Sequence, residues 1–185
     1  MSSIKPFSKL PQLNTANVLL VENEGKLQND LADAIVRQES NINVTVRLAR
    51  GLPLPAENEE NRPRIDLVVF IVHLFSEHSL VSTENSLKQL DTGYFLGKVC
   101  FLVTGARCGL VPDERLVSLR KLAASLHCPL LFAEHQTREG VSTAAQRVLK
   151  ILRVSAGLVP MVTGLYLSSV SRCTVPLDSD GSVQD

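Results

Sequence analysis

The chain has 185 residues, 44% of them hydrophobic and 21% charged, and its 19 Lys and Arg balance 19 Asp and Glu. That length suits one domain with a sizeable core. A neutral chain lacks the basic excess that nonspecific binding to DNA or acidic lipid needs, so direct contact with nucleic acid or membrane is not expected.

Residues 1–16 are polar and punctuated by proline, and lead into the first strand. Val18 to Val21 is a short continuous apolar run, the mark of a strand covered on both faces. Leu27, Leu31, Ala34 and Ile35 recur at helical spacing. Asn43 to Leu48 alternates around Val44, Val46 and Leu48 and predicts a half-buried edge strand. Gly51 to Arg64 (GLPLPAENEENRPR) is Pro-rich, acidic and without period, hence a loop. Ile65 to Leu74 (IDLVVFIVHL) is the strongest strand and belongs at the sheet centre. A helix from about Ser79 to Asp91 follows, with Leu80, Leu87 and Leu90 inward.

Lys98 to Val103 is a further buried strand. Pro112 suits the first turn of the next helix, which carries Leu116, Leu119, Leu122 and Ala123. Pro129 to Ala133 is the last strand, and Thr143 to Ala156 the last clear helix. Strands alternating with helices imply right-handed crossovers and an α/β fold with a doubly wound, mostly parallel sheet over residues 17–157. Residues 158–171 are apolar and nearly uncharged, and pack either on the domain or on a partner. Residues 172–185 are polar and acidic and are expected to be disordered.

The four cysteines, Cys100, Cys108, Cys128 and Cys173, include no CxxC pair and no pair with a His at ligand spacing. They are expected to be reduced intracellular thiols, neither a zinc site nor a disulfide frame. No N-terminal apolar h-region and no run of about 18 apolar residues is present, so a soluble chain in the cytosol or nucleus is expected.

Asn17 to Val36 has the layout of strand, tight turn and helix, the place where a P-loop belongs. That motif, GxxxxGK[ST], wraps phosphates in bare backbone N–H groups, with a Lys on the β/γ oxygens and a hydroxyl on Mg²⁺. Here Glu22 follows the strand, and Gln28 and Asn29 stand at the Lys and Ser/Thr positions. Gly25 and Lys26 are followed by Leu27, and Glu22 and Glu24 are expected to repel an anion.

With these elements in place the chain resembles Ras-like small GTPases, whose signatures lie at the C-terminal ends of the strands. The signatures are degenerate. Gly105, Ala106 and Cys108 occupy the base-reading NKxD positions, and Glu134, His135 and Gln136 occupy the SAK-type loop. The DxxG that senses the γ-phosphate is missing. A narrower resemblance spans Leu10 to Val170. LPQLNTANVLLV, LPLP (Leu52 to Pro55), NRPRIDLVVFIV, FLGKVCFLV and AGLVP are similar to segments of a family of GTPase-like centromere proteins that do not act as GTPases.

That resemblance implies a small-GTPase-like (P-loop NTPase-like) fold used as a pseudo-GTPase, with no nucleotide, cofactor or metal. It implies a structural subunit of the constitutive centromere-associated network, at the kinetochore in the nucleus. Its partners would be centromere protein I, with centromere proteins H and K, and its role kinetochore assembly and chromosome segregation in mitosis. The alternative is a nucleotide-binding GTPase switch with an unusual site.

Among single residues, Gly25 and Lys26 read as a helix-start turn with a solvated lysine. Asp66, before the apolar run, reads as a cap or as a partner for Arg62 or Arg64. His73, at the end of the central strand, has a catalytic address, with Glu77, His78 and Glu134 as possible neighbours. No nucleophile with a motif accompanies it, so a hydrogen-bonded histidine is the expectation. Tyr94, Phe95 and Leu96 stand between Gly93 and Gly97, and either cap the core or anchor a partner. Leu165, Tyr166 and Leu167 pose the same choice. The resemblance favours a partner-binding role for Tyr94, Phe95, Leu96, Leu165 and Tyr166, with Leu96 and Leu165 as the anchors.

Overall fold

The computed structural model describes residues 4–55, 61–106, 112–163 and Leu165. Five parallel strands form one sheet, β1 (Thr15–Val21), β2 (Asn43–Ala49), β3 (Leu67–His73), β4 (Val99–Thr104) and β5 (Leu130–Ala133), in the order β2-β1-β3-β4-β5. Among the described residues, α1 (Gln28–Gln38), α2 (Glu77–Leu87) and α3 (Asp113–Ser125) connect strands, and α4 (Arg138–Ser155) follows β5. A 3₁₀ turn at Thr92–Phe95 leads into β4. The expected α/β doubly wound sheet is present, and every described strand pair is parallel.

The central strands are apolar throughout because both of their faces are covered. Alternate residues divide between two cores. Val18, Leu20, Val69, Ile71 and Leu102 pack under α1 and α4, whose Leu31, Ile35, Val148 and Leu152 close that layer. Leu19, Val21, Phe70, Phe101 and Val103 face the other side, with Leu87, Leu119 and Ala123 above them. Among the described residues no helix lies between β2 and β3; Leu52 and Leu54 of the connecting loop pack against the second core. β2 alternates between exposed and half-buried residues, as an edge strand should.

Three helix boundaries differ from the sequence expectation by two residues or more. The second helix begins at Glu77, because the Ser76 hydroxyl accepts from the Ser79 N–H. It ends at Leu87, and the 3₁₀ turn follows under the Asp91 cap. The last helix begins at Arg138, five residues before Thr143, because Thr137 caps it through the Gly140 N–H at 3.0 Å. Pro112 sits at the N-cap position of α3.

Tyr94 requires a correction as a surface anchor. The turn at Thr92–Phe95 is held by the Asp91 carboxylate, which accepts from the Gly93 N–H at 2.9 Å, and it points the Tyr94 ring into the second core with no exposure. Burial pushes its phenol pKa up. Beyond the turn, the Lys98 ammonium is buried and donates to the Ser155 carbonyl at 2.5 Å, and the Ser155 hydroxyl donates to the Gly97 carbonyl at 2.7 Å. The start of β4 is thereby tied to the C-terminus of α4, where a cation also suits the helix dipole.

Candidate functional site

In an open parallel sheet the ligand crevice lies at the C-terminal strand ends, where the strand order reverses. Here the chain runs from β1 outward to β2 and then back across to β3, so the switch point lies between the ends of β1 and β3. The next residue after β1 is Glu22, and the last residue of β3 is His73. Both are buried, at 1% and 4% exposure.

The Glu22 carboxylate accepts backbone N–H groups from Lys26 at 2.9 Å, from Leu27 at 3.0 and 3.1 Å, and from Gln28 at 2.7 Å. These are among the N–H groups that the start of α1 leaves without intrahelical partners. Leu27, at the N-cap position, has no capping side chain of its own. The His73 Nε2 lies 2.5 Å from the Glu22 Oε1, and the His73 Nδ1 lies 2.6 Å from the Thr104 hydroxyl on β4. Nε2–H donates to the carboxylate, and the Thr104 hydroxyl completes the ring's other bond.

The electrostatics follow from this geometry. Burial acts to raise the Glu22 pKa, but the hydrogen bonds from His73 and from the Gln28 and Leu27 N–H groups outweigh it and hold the carboxyl below its ordinary value. Glu22 was expected to repel an anion from this loop. Its own carboxylate takes the N–H groups an anion would use. Gly25 makes the turn at φ +67°, and a Cβ there would fall 1.8 Å from the Arg50 guanidinium. Lys26 is exposed and pairs with Glu24 at 2.5 Å, in keeping with a solvated lysine at a helix start.

Thr104, His73 and Glu22 follow the order hydroxyl, imidazole, carboxylate. A catalytic relay needs its nucleophile within reach of a substrate. Thr104 is 1% exposed and its hydroxyl is spent on His73, so the arrangement is a structural brace across β1, β3 and β4. Of the neighbours expected for His73, Glu77 faces solvent. Its carboxylate stands 3.8 Å from Arg115, and the ring that does approach is His135, edge-on at 5.8 Å. Burial, and then the electrostatic influence of the neighbouring His73, hold the His135 pKa down. The Glu22 partnership was missed from sequence, although a carboxylate and a histidine ending two apolar runs was a usable signal.

The other degenerate positions line an open groove of about 590 Å³ with Gly105, Ala106, Glu134, His135 and Gln136 in its wall. The Phe75 ring lies against Gly105, at φ +83°, where a Cβ would fall 2.6 Å from it. Cys108 lies outside the described residues. Asp66 does pair with Arg64, at 2.9 Å, and also accepts the Asn17 N–H at 2.9 Å, which fastens β1 to the entry of β3. Among the described residues no group of three or more His, Cys, Asp or Glu is placed to hold a metal ion.

Of the residues expected to meet a partner, Phe95 and Leu96 lie just before β4, where the strands begin, and Leu165 lies beyond α4. Phe95 is half-buried against the second core, Leu96 is 51% exposed and Leu165 is 60% exposed. Tyr166 and Leu167 lie outside the described residues.

A family model for centromere protein M matches residues 1–174. A centromere protein M from Danio rerio is 63% identical over 179 residues, covering 96% of each chain. The Xenopus laevis protein of that name is 40% identical, covering 96% of this chain and 99% of its own, and the Homo sapiens protein is 44% identical, covering 93% and 94%.

Proposed function

The chain belongs to the centromere protein M family, and on that premise we propose that it is a non-catalytic pseudo-GTPase serving as a structural subunit of the inner kinetochore. Its place is the centromere of nuclear chromosomes. It binds centromere protein I within an assembly that also holds centromere proteins H and K, and so supports kinetochore assembly and chromosome segregation.

The observation that carries the non-catalytic reading is the Glu22 carboxylate on the N–H groups of Lys26, Leu27 and Gln28. A nucleotide's phosphates would have to displace a buried carboxylate held by His73, at a turn whose phosphate-reaching lysine position is Gln28. The scaffolding reading is supported by exposed side chains. Leu10, Leu13, Leu96, Met161 and Leu165 are all large, apolar and exposed, and all precede a strand or follow α4. Exposed apolar side chains serve as anchors in interfaces, where a few of them carry most of the binding energy.

The test is gel filtration of the purified chain with purified centromere protein I, with no nucleotide present. Co-elution as a stable complex is expected. Separate elution, repeated when centromere proteins H and K are added, would remove the scaffolding reading. Stoichiometric GDP or GTP released from the purified chain would remove the pseudo-GTPase reading.

A further inference from the structure

Helix N-termini are ordinarily capped by the side chain of the N-cap residue itself, as Ser76 and Thr137 do here for α2 and α4. The α1 terminus departs from this. Its acceptor comes from Glu22, five residues before Leu27, on the last turn of chain leaving β1. The acceptor is ionic, it takes three successive N–H groups, and a fourth donor reaches it from another strand, the His73 imidazole of β3. Thr104 on β4 in turn braces His73, so one carboxylate joins β1, α1, β3 and β4.

We propose that Glu22 is a tethered ligand. Its carboxylate fills, from within the chain, an oxyanion cradle made by the Lys26, Leu27 and Gln28 N–H groups and the His73 Nε2–H, and so locks the β1–α1 turn onto the central strands. A diffusible ligand stabilises a fold by an amount that grows with the logarithm of its free concentration relative to Kd, and vanishes when it is absent. A tethered one is always present, so the scaffold is held closed without an effector. Nearby charges are arranged around this lock. Lys26 is engaged by Glu24 outside it, Arg50 covers Gly25 and donates to the Asn23 carbonyl at 3.4 Å, and the His135 ring backs His73.

The proposal separates from plain side-chain packing by chemical rescue. The full-length chain and its Glu22→Ala variant are compared in millimolar formate, inorganic phosphate, or chloride at matched ionic strength. The readouts are melting temperature and the amide resonances of Lys26, Leu27 and Gln28. The variant is expected to melt lower than the parent. Formate is expected to raise its melting temperature and move those three amides, while the parent responds to neither oxyanion beyond the chloride control. Rescue by phosphate as well would mark a cradle that admits the larger ion. A folded variant that neither oxyanion stabilises overturns the proposal. If Glu22→Ala does not fold, the same amides are followed in the parent and in Glu22→Gln between about pH 6 and pH 3. The parent's three amides are expected to track one carboxyl titration that is absent from Glu22→Gln; amides that stay still in the parent overturn the proposal.

Discussion

The His73 imidazole and the Glu22 carboxylate meet at 2.5 Å between the ends of β3 and β1, with side chains only 5% and 0% exposed. A buried carboxylate–imidazole hydrogen bond is costly to break from one side, because the remaining partner stays out of water. At the switch point between β1 and β3, the helix N–H groups that a ligand would use are therefore occupied by the protein's own carboxylate.

Acid stability should report this contact. Glu22 titrates below its ordinary value when folded, so its contribution is complete above the ordinary carboxylate range. The contribution is lost as pH falls from there through the lowered folded value. Glu22→Gln should cost about 3 kcal/mol at neutral pH and flatten the acid side of the stability profile. Denaturant unfolding at a series of pH values measures both; a variant that keeps the parent's acid slope would show that other carboxyls set it.

Gly140 is in the first turn of α4, where Gly→Ala would ordinarily stabilise a helix by about 1 kcal/mol. A Cβ at this position would fall 2.1 Å from the Glu134 carbonyl oxygen, part of the chain backbone. Gly140→Ala should therefore destabilise, by about 1–3 kcal/mol. A thermal melt decides the sign, and a raised melting temperature would contradict the close approach.

Tyr94 and Leu96 are two residues apart and should behave oppositely. Tyr94→Ala should cost about 3–5 kcal/mol of stability because it empties a fully buried site. Tyr94→Phe should be mild, since the hydroxyl reaches the Ile65 carbonyl only at 3.5 Å. Leu96→Asp should leave the melting temperature nearly unchanged, because half of that side chain already faces solvent.

Partner binding is the second readout for Leu96. Leu96→Asp and Leu165→Asp should each detach centromere protein I from a chain that remains folded, since a charge cannot fill an apolar anchor pocket without loss. Co-elution with both variants would place the anchors elsewhere on the chain. With the parent chain, addition of the partner should raise the melting temperature by mass action.

Cys100 and Cys128 should resist alkylation in the native chain. Burial raises both thiol pKa values, that of Cys128 to about 12, so the reactive thiolate is scarce and inaccessible. Mass spectrometry after iodoacetamide treatment should find both unmodified until denaturant is added. Modification of either under native conditions would mean that its core opens locally.

The order of strands and helices was legible in the chain itself, because apolar period and run length are local properties. Val18 to Val21, Ile65 to Leu74 and Lys98 to Val103 read as buried strands, and their parallel pairing followed from the helices between strands. The loss of a phosphate loop was equally local, since it depends on which residues occupy one turn. Tertiary structure alone decided what replaced it. Glu22 and His73 are 51 residues apart, and they meet only because the chain crosses from β2 over β1 to set β3 beside it. Tyr94 was decided in the same way. Its neighbours Phe95 and Leu96 are as apolar as it is, and which of the three enters the core depends on the direction of one capped turn above the sheet. Local pattern determines which segments seek burial; the crossing of the chain determines which side chains find each other there.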